Sequence, residues 1–258
     1  MVILVTGANG QLGQSIKKVE SNYPEFTFIY QNSQELDITN LDSCKVAFEK
    51  YKPQYCINTA AYTAVDKAET DQEKAFLVNQ TGAKNLALVC KEFEATLLHV
   101  STDFVFDGEN TSPYKTTDAT NPINVYGLSK LKGEEEIAEI VQNYFVVRTS
   151  WVYSEFGNNF KKTMLRLAET RDEISVVNDQ IGRPTYAPNL AVYLLDLIKN
   201  KNTDFGIHNY ADAKICSWYE FALDIFKENN IQIKVNPIPA SQYPTPAKRP
   251  KYSVLDVK

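Results

Sequence analysis

The first thirteen residues constrain this chain most. Val2-Ile3-Leu4-Val5 is a continuous apolar run, and it leads directly into Thr6-Gly7-Ala8-Asn9-Gly10-Gln11-Leu12-Gly13 and a stretch of helical spacing. A short run apolar on both faces is the habit of a parallel strand covered by helices. Glycines three apart permit a tight turn, close approach of a pyrophosphate to the backbone, and close packing of helix on strand. The helix N-terminus then offers free amides to phosphates. The glycine pattern is weak alone, but its place between a strand and a helix opening a βαβ unit gives it meaning. It predicts a dinucleotide site made by Gly7, Asn9, Gly10, Gln11, Leu12 and Gly13.

The same alternation continues along the chain. Strands are expected at about 26–30, 55–58, 96–101, 144–148, 174–177 and 207–210. Helices are expected at about 12–21, 40–51, 71–93, 124–141, 158–168, 189–198 and 218–226. In the second helix Leu41, Cys44, Phe48 and Tyr51 share one face. Strands alternating with helices of these lengths make an α/β fold, a Rossmann-like doubly wound parallel sheet. The polar, turn-rich segment from Phe104 to Pro122 reads as a loop at the carboxyl edge of that sheet. Prolines gather in the last third (Pro237, Pro239, Pro244, Pro246, Pro250), which reads as a small C-terminal substrate-binding lobe. The expected division is 1–150 for the nucleotide domain and 151–258 mainly for the lobe, with segments returning to the sheet.

Composition excludes several other classes. With 43% hydrophobic residues the chain of 258 is too apolar for disorder, and 27 Lys and Arg against 32 Asp and Glu disfavour a duplex nucleic-acid binder. Four scattered cysteines and two histidines offer no zinc ligand cluster and no disulfide framework. The N-terminus lacks a basic region followed by a long apolar one, and no run approaches the ~18 apolar residues of a membrane span. A cytoplasmic protein without metal, membrane or nucleic-acid partners is the expectation.

Tyr126-Gly127-Leu128-Ser129-Lys130 opens a helix, and spacing of four sets the phenol and the ammonium on one face. A free phenol has a pKa of about 10, and a neighbouring Lys⁺ is expected to pull it down. Tyr-x-x-x-Lys is common by chance, and a surface pair is the bland alternative. Strand four, however, ends in Ser101-Thr102-Asp103-Phe104, and hydroxyls at the carboxyl end of a parallel strand lie where ligands bind. Thr102 is expected to hold a substrate carbonyl near Tyr126. His99, inside the strand, reads as a satisfied core histidine, and His208 has no clear partner.

Together these segments resemble the dTDP-4-dehydrorhamnose reductase family, within the extended short-chain dehydrogenase/reductase superfamily. The similarity includes Thr59-Ala60-Ala61-Tyr62-Thr63-Ala64-Val65-Asp66, Ser101 to Gly108, Asn121 to Lys130, Arg148 to Tyr153, Asn178 to Thr185 and Arg249-Pro250. The resemblance implies reduction by NADPH or NADH of the carbon-4 ketone of dTDP-4-dehydro-β-L-rhamnose, the last step toward dTDP-L-rhamnose. It implies Thr102, Tyr126 and Lys130 as the catalytic triad. Asp37 and Ile38 would meet the adenine, Ala60, Ala61 and Tyr62 would line the cofactor, and Lys130 would also hold the nicotinamide ribose. Asp103, Phe104, Trp151, Asn159 and Arg249 would face the substrate, with Arg183 a weaker candidate. Many relatives carry an Arg after strand two, where this chain has Gln31-Asn32-Ser33, with neither Arg nor an obvious acidic ribose ligand. That leaves the choice between NADPH and NADH open and makes NADH somewhat more plausible than usual. Relatives also extend by one more helix beyond the position of Lys258, and the resemblance admits a homodimer. Sugar-nucleotide 4-epimerases share the glycine loop and the Tyr-Lys pair. A non-catalytic relative, the regulatory subunit of methionine adenosyltransferase, binds a dinucleotide without needing the triad.

Overall fold

The structure, a computed structural model, describes residues 1–257. Five strands, β1 (Val2–Thr6), β2 (Thr27–Gln31), β3 (Tyr55–Asn58), β4 (Thr96–Thr102) and β5 (Tyr144–Thr149), alternate with helices. These helices are α1 (Gln11–Val19), α2 (Leu41–Tyr51), α3 (Val65–Ala68), α4 (Gln72–Phe76), α5 (Gly82–Glu92) and α6 (Val125–Ile140). The C-terminal part adds α7 (Phe160–Ala168), α8 (Ala187–Lys199) and α9 (Trp218–Glu228). Its strands are β6 (Val152–Tyr153), β7 (Glu173–Val177), β8 (Ile181–Gly182), β9 (Thr185–Tyr186), β10 (Gly206–Asn209), β11 (Cys216–Ser217) and β12 (Lys234–Ile238).

Six strands form one parallel sheet in the order β10-β5-β4-β3-β1-β2. Side chains alternate across it and build two cores. Leu4, Cys56, Leu97 and Val146 face one way, into a layer with Phe48 of α2, Leu86 of α5 and Ile137 of α6. Ile3, Ile57, Leu98 and Phe145 face the other, against Ile16 of α1 and Leu194 of α8. Burial on both faces is why these strands read as unbroken apolar runs. The doubly wound α/β fold is therefore as expected. Strand order reverses between β1 and β3, and ligands in such sheets bind outside the carboxyl ends of the strands at that point.

Three features depart from the sequence reading. The helix expected over 71–93 is interrupted by a π-helical turn at Leu77–Thr81. The strand near 174–177 forms as β7 but lies outside the main sheet, paired in parallel with β12. Strand β12 itself is unexpected, because Pro237 cannot donate to a ladder and the segment lacks alternation. β7, β12, α7 and α9 surround a separate apolar cluster of Met164, Ile174, Val176, Phe221 and Ile225. Between these elements α8 packs on α1, and β10 pairs with β5 at the sheet edge. Among the described residues no helix is long and apolar enough to cross a membrane.

Candidate active site

The glycine loop joins β1 to α1 by a turn that only glycine makes without strain. Gly7 has φ +66, and a Cβ there would lie 2.6 Å from the backbone nitrogen of Ala60. Gly10 donates its N–H to the Gly7 carbonyl at 2.8 Å and begins α1 with no side-chain cap. The first amides of α1 are thus left open, as anion binding requires. A Cβ on Gly13 would meet Ala8 Cα at 2.7 Å, so that glycine sets how closely helix and loop pack. Leu12 is buried, while Asn9 and Gly10 are exposed at the loop's tip. Gln11 is held from the other side, its Oε1 accepting from Ser154 Oγ at 3.1 Å and Asn159 Nδ2 at 2.9 Å. These residues fit a dinucleotide's phosphates by their backbone, with α1 supplying the dipole. Gly7→Ala is expected to cost about 1–3 kcal/mol of stability and to weaken nicotinamide-dinucleotide binding, checked by thermal unfolding and fluorescence titration. Unchanged affinity would place the phosphates elsewhere.

Asp37 and Ile38 follow β2 differently. Asp37 Oδ1 accepts from the Thr39 N–H at 2.9 Å and its hydroxyl at 2.7 Å, making a local turn. Ile38 is buried against Gly82. Ala60, Ala61 and Tyr62 leave the end of β3 beside Gly7, and Asn79 pins this segment. Its Oδ1 accepts from Tyr62 N–H at 2.8 Å, and its Nδ2 donates to the Tyr62 carbonyl at 3.0 Å and to Ser129 Oγ at 2.9 Å.

Tyr126 lies in the first turn of α6. Asn124 caps that helix, its Oδ1 accepting from Gly127 N–H at 2.8 Å. Gly127 lets the helix come close, since a Cβ there would stand 2.1 Å from the Phe104 carbonyl oxygen. The Tyr126 ring meets Phe104 edge to face at 5.8 Å. Thr102 accepts from the Phe104 N–H at 3.2 Å and donates to Asp103 Oδ1 at 3.1 Å, and its hydroxyl neighbours the Tyr126 phenol. Burial pushes the phenol up to about 12, with Thr102 opposing and Asp103 adding to the rise. The expected lowering by Lys130 therefore does not hold, because the lysine reaches elsewhere. Lys130 Nζ is turned into the sheet, donating to the Val100 carbonyl at 2.7 Å and lying 3.0 Å from His99 Nε2. Burial also drives Lys130 down to about 8, with Glu134 opposing.

Beyond Phe104, on which the Tyr126 ring packs, opens a cleft of about 1080 Å³. Phe104, Trp151 and Arg249 line it, as do Trp218, Phe160 and Asp66, which the sequence reading missed. Trp151 stacks on Trp218 with ring centroids 3.5 Å apart, in a left-handed backbone conformation of φ 48. Arg249 is bidentate to Asp66 at 3.0 and 2.8 Å, which holds the Asp66 carboxyl below its ordinary value. Trp218 sits more than sixty residues from Trp151, so nothing local in the sequence joins them. Two expected substrate ligands are placed otherwise. Asp103 is 2% exposed, and burial raises it to about 7. Asn159 caps α7 and spends its amide on Gln11, Ser154 and Phe156. Arg183 donates to the carbonyls of Asp212 and Ala213.

A parallel sheet with a glycine-lined phosphate cradle at its switch point, and a Tyr-Lys helix beside a nucleotide-sized cleft, defines the class of dinucleotide-binding α/β proteins. The sequence model of the RmlD substrate binding domain matches residues 1–258, and the chain belongs to that family. It is 42% identical to a dTDP-4-dehydrorhamnose reductase of Aggregatibacter actinomycetemcomitans, over 99% of this chain and 90% of that one. A crystal structure of a dTDP-4-dehydrorhamnose reductase from Clostridium acetobutylicum is similar with a TM-score of 0.95 and 44% identity, covering 99% of this chain and 90% of that chain. Another from Bacillus anthracis, in complex with NADP, has a TM-score of 0.96 and 40% identity, covering 100% and 90%.

Proposed function

We propose that this protein reduces the carbon-4 ketone of dTDP-4-dehydro-β-L-rhamnose to give dTDP-L-rhamnose, the closing step of dTDP-rhamnose biosynthesis. The observation that carries the reading is Tyr126 in the first turn of α6, one turn before Lys130 and packed on Phe104, whose side chain lines the tryptophan-walled cleft. A reduced nicotinamide, as NADPH or NADH, supplies the hydride when bound. Gly7, Asn9, Gly10, Gln11, Leu12 and Gly13 hold its phosphates, with Asp37, Ile38, Ala60, Ala61 and Tyr62 along its length. Residues 1–150 carry this task, and 151–258 mainly the substrate, apart from α8 and β10 in the sheet layers.

Tyr126 delivers the proton. A phenol raised to about 12 keeps its proton at neutral pH, which suits a reductase. The alkoxide forming at carbon 4 is the stronger base, so the proton passes from phenol to sugar. Thr102 donates a hydrogen bond to the same oxygen as its charge grows, and that interaction strengthens toward the transition state. Lys130 holds ribose hydroxyls, and Trp151 covers a sugar face. We assign the enzyme to the cytoplasm, with soluble cofactor and substrate, and a homodimer as its assembly.

Mixing purified protein, the dTDP-4-keto sugar and NADPH or NADH tests this reading. Oxidised cofactor and dTDP-L-rhamnose are expected in equal amounts. Sugar interconversion without net cofactor oxidation would instead mean an epimerase, and cofactor binding without turnover a regulatory protein.

A further inference from the structure

Asn58, at the end of β3, and His99, in β4, are each 1% exposed and bridge the cofactor cradle to Lys130. Asn58 Oδ1 accepts from the Ala60 N–H at 3.1 Å and from the Thr6 hydroxyl at 2.7 Å. A backbone N–H is only ever a donor, so the orientation of the Asn58 amide is fixed. Its NH₂ faces His99 Nδ1 at 2.9 Å, and Nδ1 must accept. A neutral imidazole accepting at Nδ1 carries its proton on Nε2. That nitrogen stands 3.0 Å from Lys130 Nζ.

An ammonium has three donors and no lone pair, so a charged Lys130 would set donor against donor. An imidazolium would repeat the conflict at Asn58. In one assignment every contact pairs a donor with an acceptor. Lys130 is then an uncharged amine whose lone pair accepts from His99 Nε2–H, while one N–H donates to the Val100 carbonyl at 2.7 Å.

We propose that Asn58 and His99 are positioning residues that hold Lys130 as an uncharged amine in this conformation, so that charging Lys130 requires its Nζ to leave His99. The inference rests on Lys130 belonging to the reductase machinery. The polarity of the chain is set at the cradle itself, because Thr6 precedes Gly7 and Ala60 abuts it. Titratable groups surround Lys130 on three elements. His99 faces it from β4, and Tyr126 lies one turn back on α6. Glu134 lies one turn on, already paired with Arg148 of β5 and bonded by Ser101 of β4. Burial pushes the same way, lowering Lys130 to about 8 and His99 well below its ordinary value.

Asn58→Asp tests this. It keeps the oxygen that serves Ala60 and Thr6, but replaces the NH₂ by an acceptor. The His99 proton then moves to Nδ1, and Nε2 becomes free to accept from an ammonium. The measurement is a pH titration of unliganded protein carrying ¹⁵N-histidine and ¹³C-lysine, followed by NMR. With two histidines in the chain, His99 is assigned by comparison with His208→Gln. In the unsubstituted protein the proton is expected on Nε2, with Lys130 titrating at least about one unit below an ordinary lysine. In Asn58→Asp the proton is expected on Nδ1, the Lys130 midpoint rises by about one unit or more, and the alkaline limb of the rate profile moves up with it. The added carboxylate raises the lysine midpoint by charge alone, so the deciding signal is the histidine tautomer, which a purely structural role would not move. An Nδ1–H tautomer in the unsubstituted protein overturns the proposal even where the variant does not fold, and so does an unshifted Lys130 in a folded variant. Neither NMR readout involves turnover, so failure here and failure of the reductase assay are separate results.

Discussion

Tyr126→Phe is expected to lower turnover by about 10²–10⁴-fold, the range a positioned acid contributes, while the protein still binds reduced nicotinamide dinucleotide. The substitution removes one oxygen and keeps the ring that meets Phe104 edge to face. It leaves the Asn124 cap and the Gly127 approach untouched, because neither involves the Tyr126 side chain. Loss of the phenol is therefore loss of the proton and little else. The comparison is kcat and KM for the keto sugar nucleotide in both proteins, with cofactor affinity measured separately. Turnover within a few-fold of the parent would mean that the proton comes from another group.

The second large effect is on stability. Glu134 of α6 and Arg148 at the end of β5 are both about 97% buried, and their carboxylate and guanidinium meet at 2.6 and 3.1 Å. Ser101 of β4 donates to the same carboxylate, and the guanidinium lies over the Phe106 ring at 5.2 Å. Glu134→Ala strands the Arg148 charge in the interior, which is expected to cost about 3–5 kcal/mol. In a chain of this size that lowers the melting temperature by roughly 6–20 °C. Replacing both residues by Met is expected to restore much of the loss, since no unpaired charge then remains. A single variant melting within about 2 °C of the parent would show that the pair holds nothing together.

Much of this architecture is legible in the sequence, for physical reasons. Strands buried on both faces announce themselves as apolar runs, and Gly7, Gly10 and Gly13 mark a turn whose geometry leaves few alternatives. Thr102, Tyr126 and Lys130 stand out because they sit in short local patterns at a strand end and a helix start. Trp218, Asp66 and Asn58 do not, since each works with a partner that only the fold brings near: Trp151, Arg249 and His99. His99 reads correctly as a satisfied core residue, but its satisfaction runs through Lys130. Asn159 and Asp103, polar residues in motif segments, are held within the fold here, Asn159 by its bonds to Gln11, Ser154 and Phe156 and Asp103 by burial. Pro237 hides β12, and the effect of Lys130 on the phenol is misjudged because spacing along a helix says nothing of where a long side chain bends.

The π-helical turn at Leu77–Thr81 means that this chain keeps one residue more than a regular helix needs. Removing it would give an uninterrupted helix of ordinary pitch, since a π turn takes about one residue more than an α turn to come full circle, and the wide turn that carries Asn79 would be lost. Asn79 would then swing its amide away from Tyr62 and Ser129, the two segments it fastens together. The smoother helix would be the poorer one for the protein. The surplus residue thus sets a length in this stretch that neither hydrophobicity nor helix propensity enforces, and drift toward a better helix here would run against the chemistry next door.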